Sequence, residues 1–465
     1  MLSYQLIYAT SIDGDSIEWT AQNASQTLPI LYINTEDSVP VVDKETKIPA
    51  GLWVEIPDAC ESKDFTLGSL EEPVEITIKG RGNASWLLDK KPYKIKFEKK
   101  TEFLGMPKQK HFALLNSSGG SGIAQMMGME LARIAGMDWA PRLVPVELVL
   151  NGEYLGLYNV AESIKIDKNR VNIYEQEDLN EDEETIPYGW LVEIDNYSDS
   201  CQIVIKEPGW TTMRVTYHTP EELSEMQENW LYDEFYKLNE TIYSKEDSIK
   251  ESWANIIDAH SLAKLFLVRE VLGDKDGFNG SFYLYKDKGE NSIWKAGPMW
   301  DPMLDCAQPP TDWVMNNLPS YSKWKIIPQV FYTKAFSDAF IDEWQTFYPK
   351  LEDIAAYMED YASKVCEASS ADKNRWPDAA LITIDAVKSR VQWIRNSSKW
   401  IDENKYYYDD YLSGIDNVVV EESGDSEIYT LDGRKVPQIT AKGIYIIKIK
   451  MDNGTIETKK IFYQP

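Results

Sequence analysis

The hydrophobic period of the chain is mainly that of strands in its first half and of helices in its second, and that change limits its fold more than any single motif. Between residues 28 and 208, apolar residues alternate in short runs bounded by polar loops: LPILYINT, GLWVEI, VEITIKGRG, PYKIKFE, GWLVEID and QIVIKEP. A period of two belongs to strands. Asn151-Gly152, between VPVELVL and EYLGLYNVAE, is the two-residue turn of a tight hairpin. One helix interrupts the strands at 121–135, SGIAQMMGMELARIA, with Ser121 as its cap. From 220 to 270 the period turns helical, in EELSEMQENWLYDEFYKLNETIY and WANIIDAHSLAKLFLVREVLG, and it is helical again from 330 to 410. A strand-rich first half followed by a helix-rich second half predicts a two-lobed α+β protein.

Within the second half, residues 274–305 read DKDGFNGSFYLYKDKGENSIWKAGPMWDPMLD. The alternating run Ser281–Lys286, a polar turn through Asp287, Gly289 and Asn291, and a returning run from Ser292 predict a hairpin. Antiparallel strands return to where they began, so Asp276 and Asp301 are expected at the same end. Two carboxylates at one mouth suit a divalent cation, or a base beside a metal ligand. Protein kinases order the same parts this way: an Asp, a hairpin, then a metal-binding Asp. With 76 acidic residues in the chain, acids flanking strands are also what polar loops alone would give.

A second cluster lies at 79–97, KGRGNASWLLDKKPYKIKF. Arg81-Gly82-Asn83-Ala84-Ser85-Trp86 closes a strand with a small-residue turn, and a strand bearing Lys94 and Lys96 follows. Such a turn lets backbone N–H groups approach phosphate oxygens, with Arg and Lys nearby as counter-charge. The basic residues Lys79, Arg81, Lys90, Lys91, Lys94 and Lys96 stand out because the whole chain has a formal net charge of -28. That charge disfavours nucleic acid and anionic membrane as partners. No apolar run approaches the ~18 residues of a membrane span. His111, His218 and His260 lie in unrelated contexts, and neither Gly-x-Ser-x-Gly nor His-Glu-x-x-His occurs. Cys60, Cys201, Cys306 and Cys366 show no paired spacing, which argues against a zinc knuckle.

Four segments are expected. Residues 1–27, with the alternating Tyr4–Tyr8, read as the end of a preceding β region or an N-terminal extension, without the basic-then-apolar pattern of a signal peptide. The main domain spans 28–412, and an acidic linker covers 413–426. A small β-sandwich-like domain at 427–465 has turns at Asp432-Gly433, Lys442-Gly443 and Asn453-Gly454. Through Tyr429-x-Leu-Asp-Gly-Arg434 and Gly443-Ile-Tyr445, this last domain resembles a type IX secretion sorting domain.

The blocks RGNASW, KPYKIKF, FLGMPKQKHFALLN, ELARIAG, APRLVPVELVLNGEYLGLYNVAESIKIDKNRVNI, YLYKDKG and GPMWD, in this order, resemble the spore coat protein H (CotH) kinase family. The resemblance implies an atypical protein-kinase-like fold that transfers the γ-phosphoryl of ATP to Ser residues of proteins with Mg²⁺ or Mn²⁺. By the same resemblance, Asp276 is the catalytic-loop acid and Asp301 the metal ligand. Arg81, Asn83, Ser85 and Trp86 form the turn over the nucleotide, and one of Lys94 and Lys96 reaches the phosphates. Glu162 orients that lysine or holds metal. The two resemblances together imply a secreted or cell-surface protein, anchored at the surface. Two positions depart from the family pattern. Ala124-Gln125 stand where members carry Arg-Asn, and Met303 stands where a second Asp is usual, with Asp305 two residues on as its substitute. These departures open a second reading, a pseudokinase-like surface-binding or adhesive protein without turnover.

Overall fold

The fold is that of a computed structural model describing residues 18–60, 63–117, 121–175, 189–206, 212–278, 280–289, 291–306, 312–318, 325–409, 426–430, 434–436, 443–450 and 456–463. The strand expected at 4–8, nearly all of the acidic stretch 175–184 and of the linker 413–426, and the turns at 432–433 and 453–454 lie outside these residues. The helices are α1 (Ser121–Ile134), α2 (Glu225–Ile242), α3 (Asp247–Glu251), α4 (Ala259–Leu272), α5 (Ile326–Val330), α6 (Lys334–Phe347), α7 (Asp353–Arg375) and α8 (Ile384–Asn404). The chain divides into two compact units. The first takes residues up to 127, 141–164 and 354–391; the second takes 128–140, 165–353 and the rest.

The first unit is built on β1 (Ile30–Thr35), β2 (Ile48–Glu55), β3 (Val74–Gly80), β4 (Tyr93–Phe103), β5 (Met106–Leu115), β6 (Leu143–Leu150) and β7 (Glu153–Glu162). Asn151 and Gly152 turn β6 into β7 with φ of 51° and 84°, as the sequence required. The half was expected to be a lobe of a kinase-like fold; it closes instead into a seven-stranded barrel ordered β1-β2-β3-β4-β5-β7-β6. The physical reason is the parallel pairing of β1 with β6, from Ile30↔Glu147 to Ile33↔Leu150, which removes both sheet edges. Alternation then sends Leu31, Ile33, Ile78, Ile95, Leu114 and Val160 inward. Phe97, Phe103 and Phe112 meet there edge to face, with centroids 5.2–5.9 Å apart.

Helix α7 is fastened to this barrel at an irregularity. The β6–β7 register shifts so that Leu155 has no partner, and the next residue, Gly156, takes φ 89°. A Cβ on Gly156 would lie 2.0 Å from Asp372 Oδ1, so only glycine allows the approach. Asp372 accepts the Leu157 N–H at 2.9 Å and Lys90 Nζ at 2.6 Å, and Lys90 also donates to the Leu157 carbonyl at 2.6 Å. Both side chains are buried. Burial pushes Lys90 down and Asp372 up toward their neutral forms, and the pairing opposes both shifts.

The second unit contains β8 (Trp190–Asp195), β9 (Gln202–Ile205), β10 (Met213–Thr219), β11 (Phe282–Lys286) and β12 (Lys295–Ala296), ordered β12-β11-β8-β10-β9. The expected 281–300 hairpin is present, with Leu284↔Ala296 and Tyr285↔Lys295 paired antiparallel. From Leu265 to Leu272 helix α4 is buried on every side, and Phe266 packs among Phe278, Trp313, Phe331 and Phe340. At the C-terminus β13 (Ser426–Thr430), β14 (Lys435–Val436), β15 (Gly443–Lys450) and β16 (Ile456–Tyr463) form one antiparallel sheet, β14-β13-β15-β16, where a sandwich was expected. Some forty residues carry too few alternating apolar positions for two facing layers, and Tyr445 and Ile447 form its small core with Ile428 and Val436.

Candidate active site

Helix α4 sets up the acidic end of the hairpin. Asp258 caps its start, accepting the Ser261 N–H at 2.7 Å. Gly273 ends it in the left-handed region at φ 68°. A Cβ there would lie 2.7 Å from the Asp305 carbonyl, and the Asp305 N–H donates to the Leu272 carbonyl at 3.1 Å. The end of the helix is therefore sewn directly to the turn that follows the hairpin.

One guanidinium joins the remaining parts. Arg269, on the last turn of α4, is 1% exposed. Its Nη1 donates to Asp274, and its Nη2 donates to the Trp300 carbonyl at 2.9 Å and the Ser281 carbonyl at 3.4 Å. The other oxygen of Asp274 accepts the Gly277 N–H at 3.0 Å. Gly277 lies flat on the arginine, since a Cβ would sit 2.0 Å from Nη1. The turn 274–277, the residue before β11 and the residue before Asp301 thus converge on one buried cation, at the same end of the hairpin.

The paired acids divide by environment. Asp274 is fully buried and consumed by Arg269 and Gly277; it is scaffold. Asp276 is exposed as a residue, yet its carboxyl pKa is raised, first by local desolvation and then by the Asp274 charge, with Arg269 pulling the other way. Asp301 is exposed and takes φ 47°, a conformation that Asp and Asn tolerate better than most residues. Pro302 after it is buried against Gly128 of α1, where a Cβ would meet its ring at 2.5 Å. Asp305 is half-exposed and paired with Lys275 at 3.3 Å, and Met303 is 51% exposed.

Among the described residues, no three His, Cys, Asp or Glu side chains gather as a metal cage. A Mg²⁺-like ion that keeps water and takes phosphate oxygens needs only one or two carboxylates. Here the exposed carboxylate is Asp301, while Asp305 is half-exposed and paired with Lys275.

The other expected residues lie in the first unit. Ala84–Leu87 form a 3₁₀ turn. Trp86 covers Gly80, where a Cβ would be 2.5 Å from its ring, and meets Tyr93 edge-on at 6.4 Å. Gly82, at φ 84°, leaves room for the Ser85 hydroxyl. The Arg81 N–H extends the β3–β4 pairing to the Pro92 carbonyl, and the exposed Asn83 accepts from Lys44 Nζ at 3.2 Å. Lys94 stands opposite Lys79 and Ala113, and Lys96 opposite Thr77 and His111, in the register that faces out of the barrel. Glu162 is in the other register, opposite Phe112; it is wholly buried, and its carboxylate takes the Arg142 N–H and guanidinium, both at 3.0 Å. Lys90, part of the same basic cluster in sequence, is committed to Asp372. At the departing helix positions Ala124 and Gln125 are buried, and Gln125 accepts from Asn159 at 3.2 Å.

Sequence reasoning missed Arg269 and Glu270. Glu270 is buried, accepts the Val314 N–H at 2.6 Å, and its Oε2 finds no partner among the described residues. A signal existed: Arg-Glu interrupts an otherwise apolar run, LFLVREVL, long enough to leave neither charge a ready route to water.

An acidic loop, a hairpin and a second acidic turn, all fixed by the helix before them, are the parts of a kinase-like protein in their usual order. The comparison with protein families agrees. The model described as CotH kinase protein matches residues 78–409, well over half of the chain, and the chain belongs to that family. No curated protein matches it.

Proposed function

We propose that the protein is a secreted or cell-surface kinase that transfers the γ-phosphoryl of ATP to Ser residues of proteins. The observation supporting this reading most strongly is the Arg269 junction, which fixes Asp276 and the Trp300–Asp301 turn about one point. In the reaction, the acceptor Ser Oγ attacks the γ-phosphorus and the bond to the β–γ bridging oxygen breaks, releasing ADP. Asp276 orients the hydroxyl and takes its proton. A carboxyl raised above its ordinary range is better matched to that task than an ordinary one. Asp301, with Asp305, would hold Mg²⁺ or Mn²⁺, which supplies neutralising charge on the phosphates. Arg81, Asn83, Ser85, Trp86, Lys94, Lys96 and Glu162 are assigned to the nucleotide by family resemblance. The C-terminal sheet is assigned to sorting and surface anchoring on the same kind of ground.

A second reading, binding without turnover, draws on Met303 and on Ala124-Gln125, where buried Gln125 bonds to Asn159 instead of presenting a cation. Thermal shift with ATP, with and without Mg²⁺ or Mn²⁺, followed by transfer of labelled phosphate to a mixed-protein acceptor, separates the two. Metal-dependent stabilisation with transfer supports the kinase. Neither effect at millimolar ATP supports the second reading.

A further inference from the structure

We propose that the outer face of the barrel around Tyr32 binds a neutral oligosaccharide. An open groove of about 720 Å³ runs there, lined among others by Glu18, Gln22, Tyr32, Asn34, Trp53 and Leu70. All but three of its lining residues precede residue 78, where the family match begins.

Its chemistry is selective. Tyr32 and Trp53 are cross-strand partners on β1 and β2 and stack in parallel, with centroids 4.9 Å and planes 1° apart. Trp53 is almost covered and backs the more exposed Tyr32. Glu55 takes the Trp53 indole N–H at 3.1 Å and also bonds the Tyr32 hydroxyl, so one carboxylate holds both rings. A preformed aromatic surface accepts the C–H face of a pyranose with little ordering cost. Beside it, the exposed amides of Gln22 and Asn34 each offer donors and an acceptor for hydroxyl groups.

Other occupants fit poorly. Among the described residues that line the groove there is no Lys or Arg, and Glu18 is one of them, which disfavours nucleotides and acidic glycans there. An extended peptide usually binds by adding to a sheet edge. The strand beneath the groove, β1, is paired on both sides by β2 and β6 and offers none.

The test is a titration of the full chain, by calorimetry, with cellohexaose, xylohexaose, mannohexaose, chitohexaose and maltohexaose, and with polygalacturonate as the acidic control. At least one neutral hexasaccharide should bind, and Tyr32→Leu should weaken it roughly tenfold or more. Because Tyr32→Leu can disturb the barrel, the double change Gln22→Ala with Asn34→Ala at exposed positions is the second variant; it should weaken binding while melting with wild type. Binding of no neutral hexasaccharide at millimolar concentration, undiminished binding by the double variant, or tighter binding of polygalacturonate would each overturn the proposal.

Discussion

The Nη2 of Arg269 lies 2.9 Å from the carbonyl oxygen of Trp300, so the residue before Asp301 is positioned by the helix that precedes Asp276. Arg269→Lys keeps the charge but loses the planar fork that spans Asp274 and Trp300. Removing one partner from a buried, hydrogen-bonded ion pair costs about 3–5 kcal/mol, and the lysine should forfeit a large part of that. Urea unfolding gives the loss directly. Gly277→Ala, which forces a methyl group onto the same guanidinium, should destabilise in the same direction; wild-type stability in both variants would deny the junction its structural role.

Burial pushes the Glu270 carboxyl up to about 8 from the usual 4.5, against backbone N–H groups of Val314 and Met315 that pull it down. The folded protein therefore keeps a proton that the unfolded chain releases at lower pH, and stability falls as pH rises through that window. Glu270→Gln removes the titration and keeps an acceptor for Val314. Its stability relative to wild type should increase steadily from about pH 5 to about pH 9, ending higher by on the order of a few kcal/mol. A relative stability that does not change with pH would show that Glu270 is not buried neutral.

The Lys90–Asp372 pair fastens α7 to the β7 irregularity. Lys90→Met strands a buried carboxylate and should cost about 3–5 kcal/mol. Adding Asp372→Asn removes the stranded charge and preserves an acceptor for the Leu157 N–H, so the double variant should melt above Lys90→Met alone. Simple addition of two losses would contradict the pairing.

Local signals carried most of the fold. Asn151-Gly152 specified its hairpin, the alternation around Tyr283 specified β11, and the apolar period through Leu262–Leu272 specified α4. Barrel closure was hidden because it depends on Ile30 meeting Glu147, more than a hundred residues away, with no local trace of the partner. The acids of the candidate site were legible, but their division of labour was not. Asp274 and Asp276 are alike in sequence, and only the position of Arg269 makes one scaffold and leaves the other exposed.

Asp301→Asn tests the central claim most directly. Asn is at home at φ 47°, so the fold should persist, and melting should match or exceed wild type because a charge near Asp305 is removed. The decisive measurement is phosphate transfer from labelled ATP to a mixed-protein acceptor, with Mg²⁺ or Mn²⁺, for wild type, Asp301→Asn and Asp276→Asn. Wild type should transfer, and each variant should fall roughly a hundredfold or more, since charge neutralisation and hydroxyl positioning are main terms in this chemistry. Transfer undiminished by Asp301→Asn, or none by well-folded wild type, would contradict the assignment.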